Sequence, residues 1–136
     1  MTRTAARDSP RPVKKILIAE DEPNIVISLE FLLKEAGYEV AIARDGSQAL
    51  SLAGEFQPDL IVLDVMLPAF DGFDVCRRIR GNRAVKDTKV LMLTARGRDS
   101  EVTKGMAAGA DAYMTKPFAT RELVKVVAEL LASASD

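Results

Sequence analysis

No histidine occurs anywhere in the 136 residues. Its absence rules out Ser-His-Asp and Cys-His catalysis, histidine-ligated zinc, and service as a histidine phosphocarrier. Cysteine is almost as scarce. The single Cys76 has no partner for an internal disulfide, so a reducing, cytoplasmic compartment is expected. No apolar run approaches the ~20 residues of a membrane span, and the first residues lack the apolar stretch of a secretory signal. No membrane partner is expected. An excess of one charge is lacking too: 19 basic and 20 acidic residues leave a formal charge of -1. No global field therefore favours nucleic acid or an anionic membrane.

The chain does have enough apolar residues, 48%, to bury a sizeable core, and its length is near the commonest size for one domain. Residues 1–13, which include Pro10 and Pro12, are expected to form a flexible N-terminal tail. Residues 14–133 are read as one folded domain and 134–136 as a short C-terminal tail, with no second domain attached. Short, β-prone apolar runs alternate with stretches of helical periodicity. The first strand, Lys15–Ala19, precedes Pro23 at a helix start and a stripe of Ile25, Leu29, Leu32, Leu33 and Ala36, which Gly37 should stop. A second strand spans Glu39–Ala43. Asp45 and Gln48 then read as the N-terminal cap of a helix running to about Glu55. The third strand leads into Asp64, and a Pro68/Gly72 loop leads into a helix carrying Phe73, Cys76 and Ile79. The fourth strand leads into Thr94. Asp99 or Ser100 is placed to cap the next helix, whose stripe takes in Val102 and Met106 and which Gly109 should end. A fifth strand precedes a last helix with Leu123, Val126, Val127, Leu130 and Leu131. Five β-α alternations with short connections predict an α/β fold, a doubly wound parallel sheet with helices on both faces.

In such a sheet ligands bind just beyond the carboxyl ends of the strands. Here those ends carry Glu20 and Asp21, then Asp64, then Thr94, then Lys116. Adjacent acids at a strand end are by themselves more often helix caps, Thr94 alone suits an ordinary strand-end turn, and Lys116 alone a solvated lysine. Asp64 is harder to dismiss, because a carboxylate after Leu-Ile-Val-Leu in a central strand costs free energy unless paired or bound to a cation. Together, three carboxylates, a hydroxyl and an ammonium at one edge predict a site for a divalent cation and a phosphoryl group. Mg²⁺ suits it, since that ion accepts a few carboxylates and keeps waters.

These residues carry a family resemblance. The stretches are Ile-Leu-Ile-Ala-Glu-Asp-Glu at 16–22, Asp-Val-Met-Leu-Pro-Ala-Phe-Asp-Gly at 64–72, Thr94-Ala95, and Gly-Ala-Asp-Ala-Tyr-Met-Thr-Lys-Pro-Phe at 109–118. Over about residues 14–133 the chain resembles the receiver domain of bacterial two-component response regulators. The resemblance implies a five-stranded, flavodoxin-like sheet of order 2-1-3-4-5, which a member of this family itself illustrates. It implies that Asp64 is the phosphoacceptor, receiving the phosphoryl group of a sensor histidine kinase or histidine phosphotransfer protein. Asp21, Asp64 and the backbone carbonyl of Met66 would ligate Mg²⁺, with Glu20 also at the metal. Lys116 and Thr94 would contact the phosphoryl group, helped by the Ala95 N–H, and Thr94 with Tyr113 would form the switch. Tyr113 as a plain strand-edge tyrosine is the competing reading. The family pattern makes Lys116-Pro117 cis, whereas the bond alone would be read as trans. Glu20 stands where the family often has Asp, and Ala69-Phe70 where Gly-Met is frequent.

The implied function is a signalling switch, not an enzyme beyond its own phosphorylation and dephosphorylation. Its unknown output partner is expected on the face of the fourth helix, fifth strand and fifth helix, where this family also dimerises. No direct nucleic-acid contact is expected. One alternative is a receiver cut from a larger DNA-binding regulator or hybrid histidine kinase. Another is a phosphatase of the haloacid dehalogenase type, which needs Asp-x-Asp where this chain has Met66 in the second position.

Overall fold

The computed structural model describes residues 13–95 and 99–134; the expected tail over 1–13 thus lies, except for Val13, outside them. The chain alternates β1 (Lys15–Ala19), α1 (Pro23–Glu35), β2 (Glu39–Ala43), α2 (Gly46–Phe56), β3 (Leu60–Asp64), α3 (Gly72–Arg80), β4 (Lys89–Ala95), α4 (Asp99–Ala108), β5 (Ala112–Lys116) and α5 (Thr120–Ala134). All strand pairs are parallel, and the sheet order is β2-β1-β3-β4-β5. The doubly wound, flavodoxin-like arrangement is the one expected.

Side chains of a strand point alternately to opposite faces, and the core divides accordingly. Leu17, Ile61, Leu63, Val90 and Met92 face Ala49 and Ala53 of α2, Phe73, Cys76 and Ile79 of α3, and Ala108 of α4. Ile16, Ile18, Leu60, Val62, Leu91 and Leu93 face Leu29 and Leu33 of α1 and Leu123, Val127 and Leu131 of α5. Strands buried on both faces need the continuous apolar runs that β1, β3 and β4 have. The edge strands β2 and β5 are only partly covered.

Local signals fix where the helices begin and end. The Asp45 and Asp71 carboxylates accept the N–H groups of Gln48 and Asp74 and cap α2 and α3. Gly37, at φ 99°, ends α1. There Tyr38 N–H donates to Leu33 and Gly37 N–H to Lys34, the paired bonds of a Schellman turn. Gly109, at φ 107°, repeats this at α4, with bonds from Ala110 to Gly105 and from Gly109 to Met106.

Several expectations at element ends need correction. β4 runs one residue past Thr94, and α5 one residue past 133. Asp99 and Ser100 already lie inside α4, so neither is the residue that precedes its first turn. Met106 is 48% exposed; α4 turns Gly105 and Ala108 inward instead. A Cβ at Gly105 would stand 2.8 Å from Met92 Sδ, so the missing side chain is what lets the helix approach the sheet. In α1, Val26 is buried, and Ala36, just past its end, is exposed.

Gly37 isolates the backbone contribution, because a Cβ there meets nothing within 4 Å. Gly37→Ala is expected to lower unfolding stability in urea by about 1–2 kcal/mol through the left-handed conformation alone. An unchanged midpoint would show that the turn does not hold this geometry in solution.

Candidate functional site

The carboxyl ends of β1, β3, β4 and β5 bring most of the expected residues together. Asp64 closes β3 and is buried. Its Oδ1 accepts the Met66 N–H at 3.1 Å, and its Oδ2 accepts from Lys116 Nζ at 3.0 Å. Glu20 follows β1 and is wholly buried. Its N–H is tied to the Ala43 carbonyl at the end of β2, and its Oε2 accepts the N–H groups of Asp21 and Glu22 at 3.1 and 3.0 Å. Asp21 is exposed. Lys116 ends β5 and precedes a cis peptide bond to Pro117, as the family pattern implied.

Lys116 is the positive centre of the cluster. Its Nζ lies 2.9 Å from Glu20 Oε1 and 3.0 Å from both Glu22 Oε1 and Asp64 Oδ2. Burial pulls its pKa down, but the three carboxylates around it outweigh that and hold it above the usual lysine value. Glu20 moves in the same direction for the opposite reason. Burial pushes its carboxyl up, the charge of Asp64 adds to this, and the Glu22 N–H and Lys116 only partly offset it. The two shifts agree once the sharing is considered: the lysine has three partners, whereas Glu20 has a third share of one lysine. Glu20 Oε1 is close to the ammonium, yet no hydrogen bond is aligned to it, and it is the buried side-chain oxygen left so among the described residues.

One oxygen each from Glu20, Asp21 and Asp64 lies within 4.8 Å of the others. A hard divalent cation fits this donor set: it would take oxygens only, and its charge would offset the repulsion among the acids and the burial of Glu20. Met66 takes part through its backbone N–H; its side chain is 64% exposed. Gly72 shapes the same loop, since a Cβ there would stand 2.6 Å from the Asp64 carbonyl.

The remaining residues are near the edge but directed elsewhere. Thr94 is buried beside Asp64, and its hydroxyl donates to the Met114 carbonyl at 3.5 Å. The Ala95 N–H is 3.4 Å from Glu101 Oε1. Tyr113, on the edge strand, is 48% exposed and outside the charge cluster. Sequence reasoning gave no role to Glu22 or Glu101. For Glu22 the available signal was a third acid directly after Glu20-Asp21; nothing local distinguished Glu101.

Comparison with known proteins agrees with this geometry. The profile described as the response regulator receiver domain matches residues 16–128. The alkaline phosphatase synthesis transcriptional regulatory protein PhoP of Bacillus subtilis is 47% identical over 110 residues, 81% of this chain and 45% of PhoP. The DNA-binding dual master transcriptional regulator RpaA of Synechocystis is 46% identical over 117 residues, 86% of this chain and 48% of RpaA. The chain thus spans about half the length of the curated relatives it matches. Among solved structures, the receiver domain of a sensor histidine kinase from Pseudomonas aeruginosa PAO1, which has a magnesium ion coordinated in its active-site cleft, superposes with a TM-score of 0.80. It is 30% identical, and the match covers 89% of this chain and 99% of that one. Among the described residues, no helix is long and apolar enough to cross a membrane.

The raised pKa of Glu20 has a consequence for stability. A carboxyl whose folded pKa exceeds the usual 4.5 favours folding fully only below 4.5, and that contribution is lost as pH rises through the folded value. At pH 7 it is gone. Without divalent cation, Glu20→Gln is therefore expected to melt at a higher temperature than the wild type at pH 7, with the advantage vanishing toward pH 4. A lower melting temperature at pH 7 would mean that the pairing with Lys116 outweighs the burial of Glu20.

Proposed function

The chain belongs to the response regulator receiver family, and on that premise we propose that it accepts a phosphoryl group on Asp64 from a phosphohistidine donor and changes partner binding as a result. The observation that carries this reading is the placement of Asp64. It is a buried carboxylate at the end of the central strand, within reach of both the acids Glu20 and Asp21 and the ammonium of Lys116. No other acid combines these three properties among the described residues.

In the proposed reaction an Asp64 carboxylate oxygen attacks phosphorus in line. The P–N bond to the donor histidine breaks, its electron pair stays on the imidazole, and an acyl phosphate forms. Asp21, Asp64 and the Met66 carbonyl would hold Mg²⁺, with Glu20 beside them. When bound, that ion neutralises charge on the phosphoryl oxygens. Lys116 supplies a compact second positive charge. Thr94 supplies a hydroxyl by rotating from the Met114 carbonyl, and Ala95 supplies its N–H. Positioning and charge neutralisation account for the catalysis, so no histidine is needed in this chain.

The switch follows from where these donors now point. A phosphoryl group on Asp64 adds negative charge and strong acceptors, which draw Thr94 and Lys116 toward it. That movement would pass along β4 and β5 to Tyr113 and the face formed by α4, β5 and α5, where an output partner or second copy would bind. A second reading, the receiver part of a longer DNA-binding regulator, is favoured by the two transcriptional relatives, of which this chain spans about half. The site chemistry is the same in both.

Incubation with acetyl phosphate and Mg²⁺ should add the mass of one phosphoryl group to the wild type and none to Asp64→Asn. An undiminished adduct on the variant would refute the assignment. In a Mg²⁺ titration, Asp21→Ala should lose more affinity than Glu20→Ala, because the exposed shorter acid is the better direct ligand. Equal losses would place Glu20 in direct contact with the metal.

A further inference from the structure

Glu22 lies outside the three-acid group suited to a cation, yet its side chain enters the charge cluster. Its position is the N-terminal cap of α1, where Ser, Asp or Asn usually turns back to accept an N–H of the first turn. Glu22 makes no such bond. Its carboxylate instead reaches Lys116 at 3.0 Å, joining residues 94 apart in sequence.

Of the three carboxylates on Lys116, Glu20 and Asp64 also belong to the group whose oxygens converge for a cation. A cation there competes with the ammonium for those two. It does not compete for Glu22, which then remains on Lys116. The pair lines an open cavity of about 300 Å³ with Ile25, Pro117 and Phe118, and Glu22 is 59% exposed. The ion pair is therefore accessible to an approaching anionic donor.

We infer that Glu22 is a positioning residue: it holds Lys116 in the cation-loaded, unphosphorylated site and must release the ammonium before Lys116 can close on a phosphoryl group at Asp64. The inference rests on the reading of Asp64 as phosphoacceptor. With phosphoramidate as donor, the Asp64 oxygen–phosphorus bond forms as the P–N bond breaks, and the nitrogen leaves with its electron pair as ammonia. Glu22 makes and breaks no bond in that exchange. It sets how readily the positive charge of Lys116 becomes available.

Glu22→Gln keeps the shape of the side chain and removes its charge. Its phosphorylation by phosphoramidate with saturating Mg²⁺ is expected to be about two- to fivefold faster than the wild type, the weight of an exposed ion pair. The Lys116 ammonium ¹⁵N resonance distinguishes release of the lysine from simple repulsion of the donor. In Glu22→Gln before phosphorylation, it is expected to lie displaced from the wild-type position, toward that of the phosphorylated wild type. An unchanged or slower rate would overturn the inference, and so would a faster rate with the Lys116 resonance in its wild-type position. Asp64→Asn runs in parallel: label that persists on it, or a wild type that takes none, removes the phosphoacceptor reading and this inference together. Normal wild-type labelling without a Glu22 effect removes the inference alone.

Discussion

Three carboxylates, Glu20, Glu22 and Asp64, meet the single ammonium of Lys116 where β1, β3 and β5 end, with Asp21 close by. Like charges this close, with Glu20 and Asp64 out of water, are costly without a counter-charge. The sheet order makes the meeting unavoidable. β1 and β3 are neighbours, so Glu20 and Asp64 emerge side by side, and β5 reaches them from beyond β4 through the length of the lysine. A single ammonium shared among three acids leaves the edge short of positive charge, which is the electrostatic basis for its fitness for a divalent cation.

The groups proposed to grip a phosphoryl group are all engaged within the chain. Lys116 is on three carboxylates, the Thr94 hydroxyl is directed to the Met114 carbonyl, and the Ala95 N–H is directed to Glu101. A phosphoryl group on Asp64 would exchange these internal contacts for charge-assisted ones, which are shorter and stronger. The proposed switch thus needs no new donors. It needs a redirection of donors already at the edge, and the two acids unanticipated from sequence, Glu22 and Glu101, are among the groups holding them back.

Much of this was legible in the chain because the informative signals are local. Continuous apolar runs identify strands buried on both faces, and Gly37, Gly109 and Asp45 mark helix ends through conformational and hydrogen-bonding needs that belong to single residues. The charged edge was legible because strand ends of a parallel sheet converge by topology. What escaped was nonlocal. The inward face of α4 is set by Gly105 closing on Met92, so the apolar Met106 points outward, contrary to its hydrophobicity. Thr94 was placed correctly at the edge, but its hydroxyl direction depends on β5. Glu22 sits at an N-terminal cap, and only the arrival of Lys116 from the far end of the chain explains why it does not cap.

A structure determined with Mg²⁺ and beryllofluoride, a mimic of the phosphoryl group, tests the account most directly. The expected result is beryllium on an Asp64 oxygen, the metal on Asp21 and Asp64, and both Lys116 Nζ and the Thr94 hydroxyl turned onto fluorides. Beryllium on another carboxylate, or Lys116 still on Glu22 with Thr94 still on the Met114 carbonyl, would contradict it.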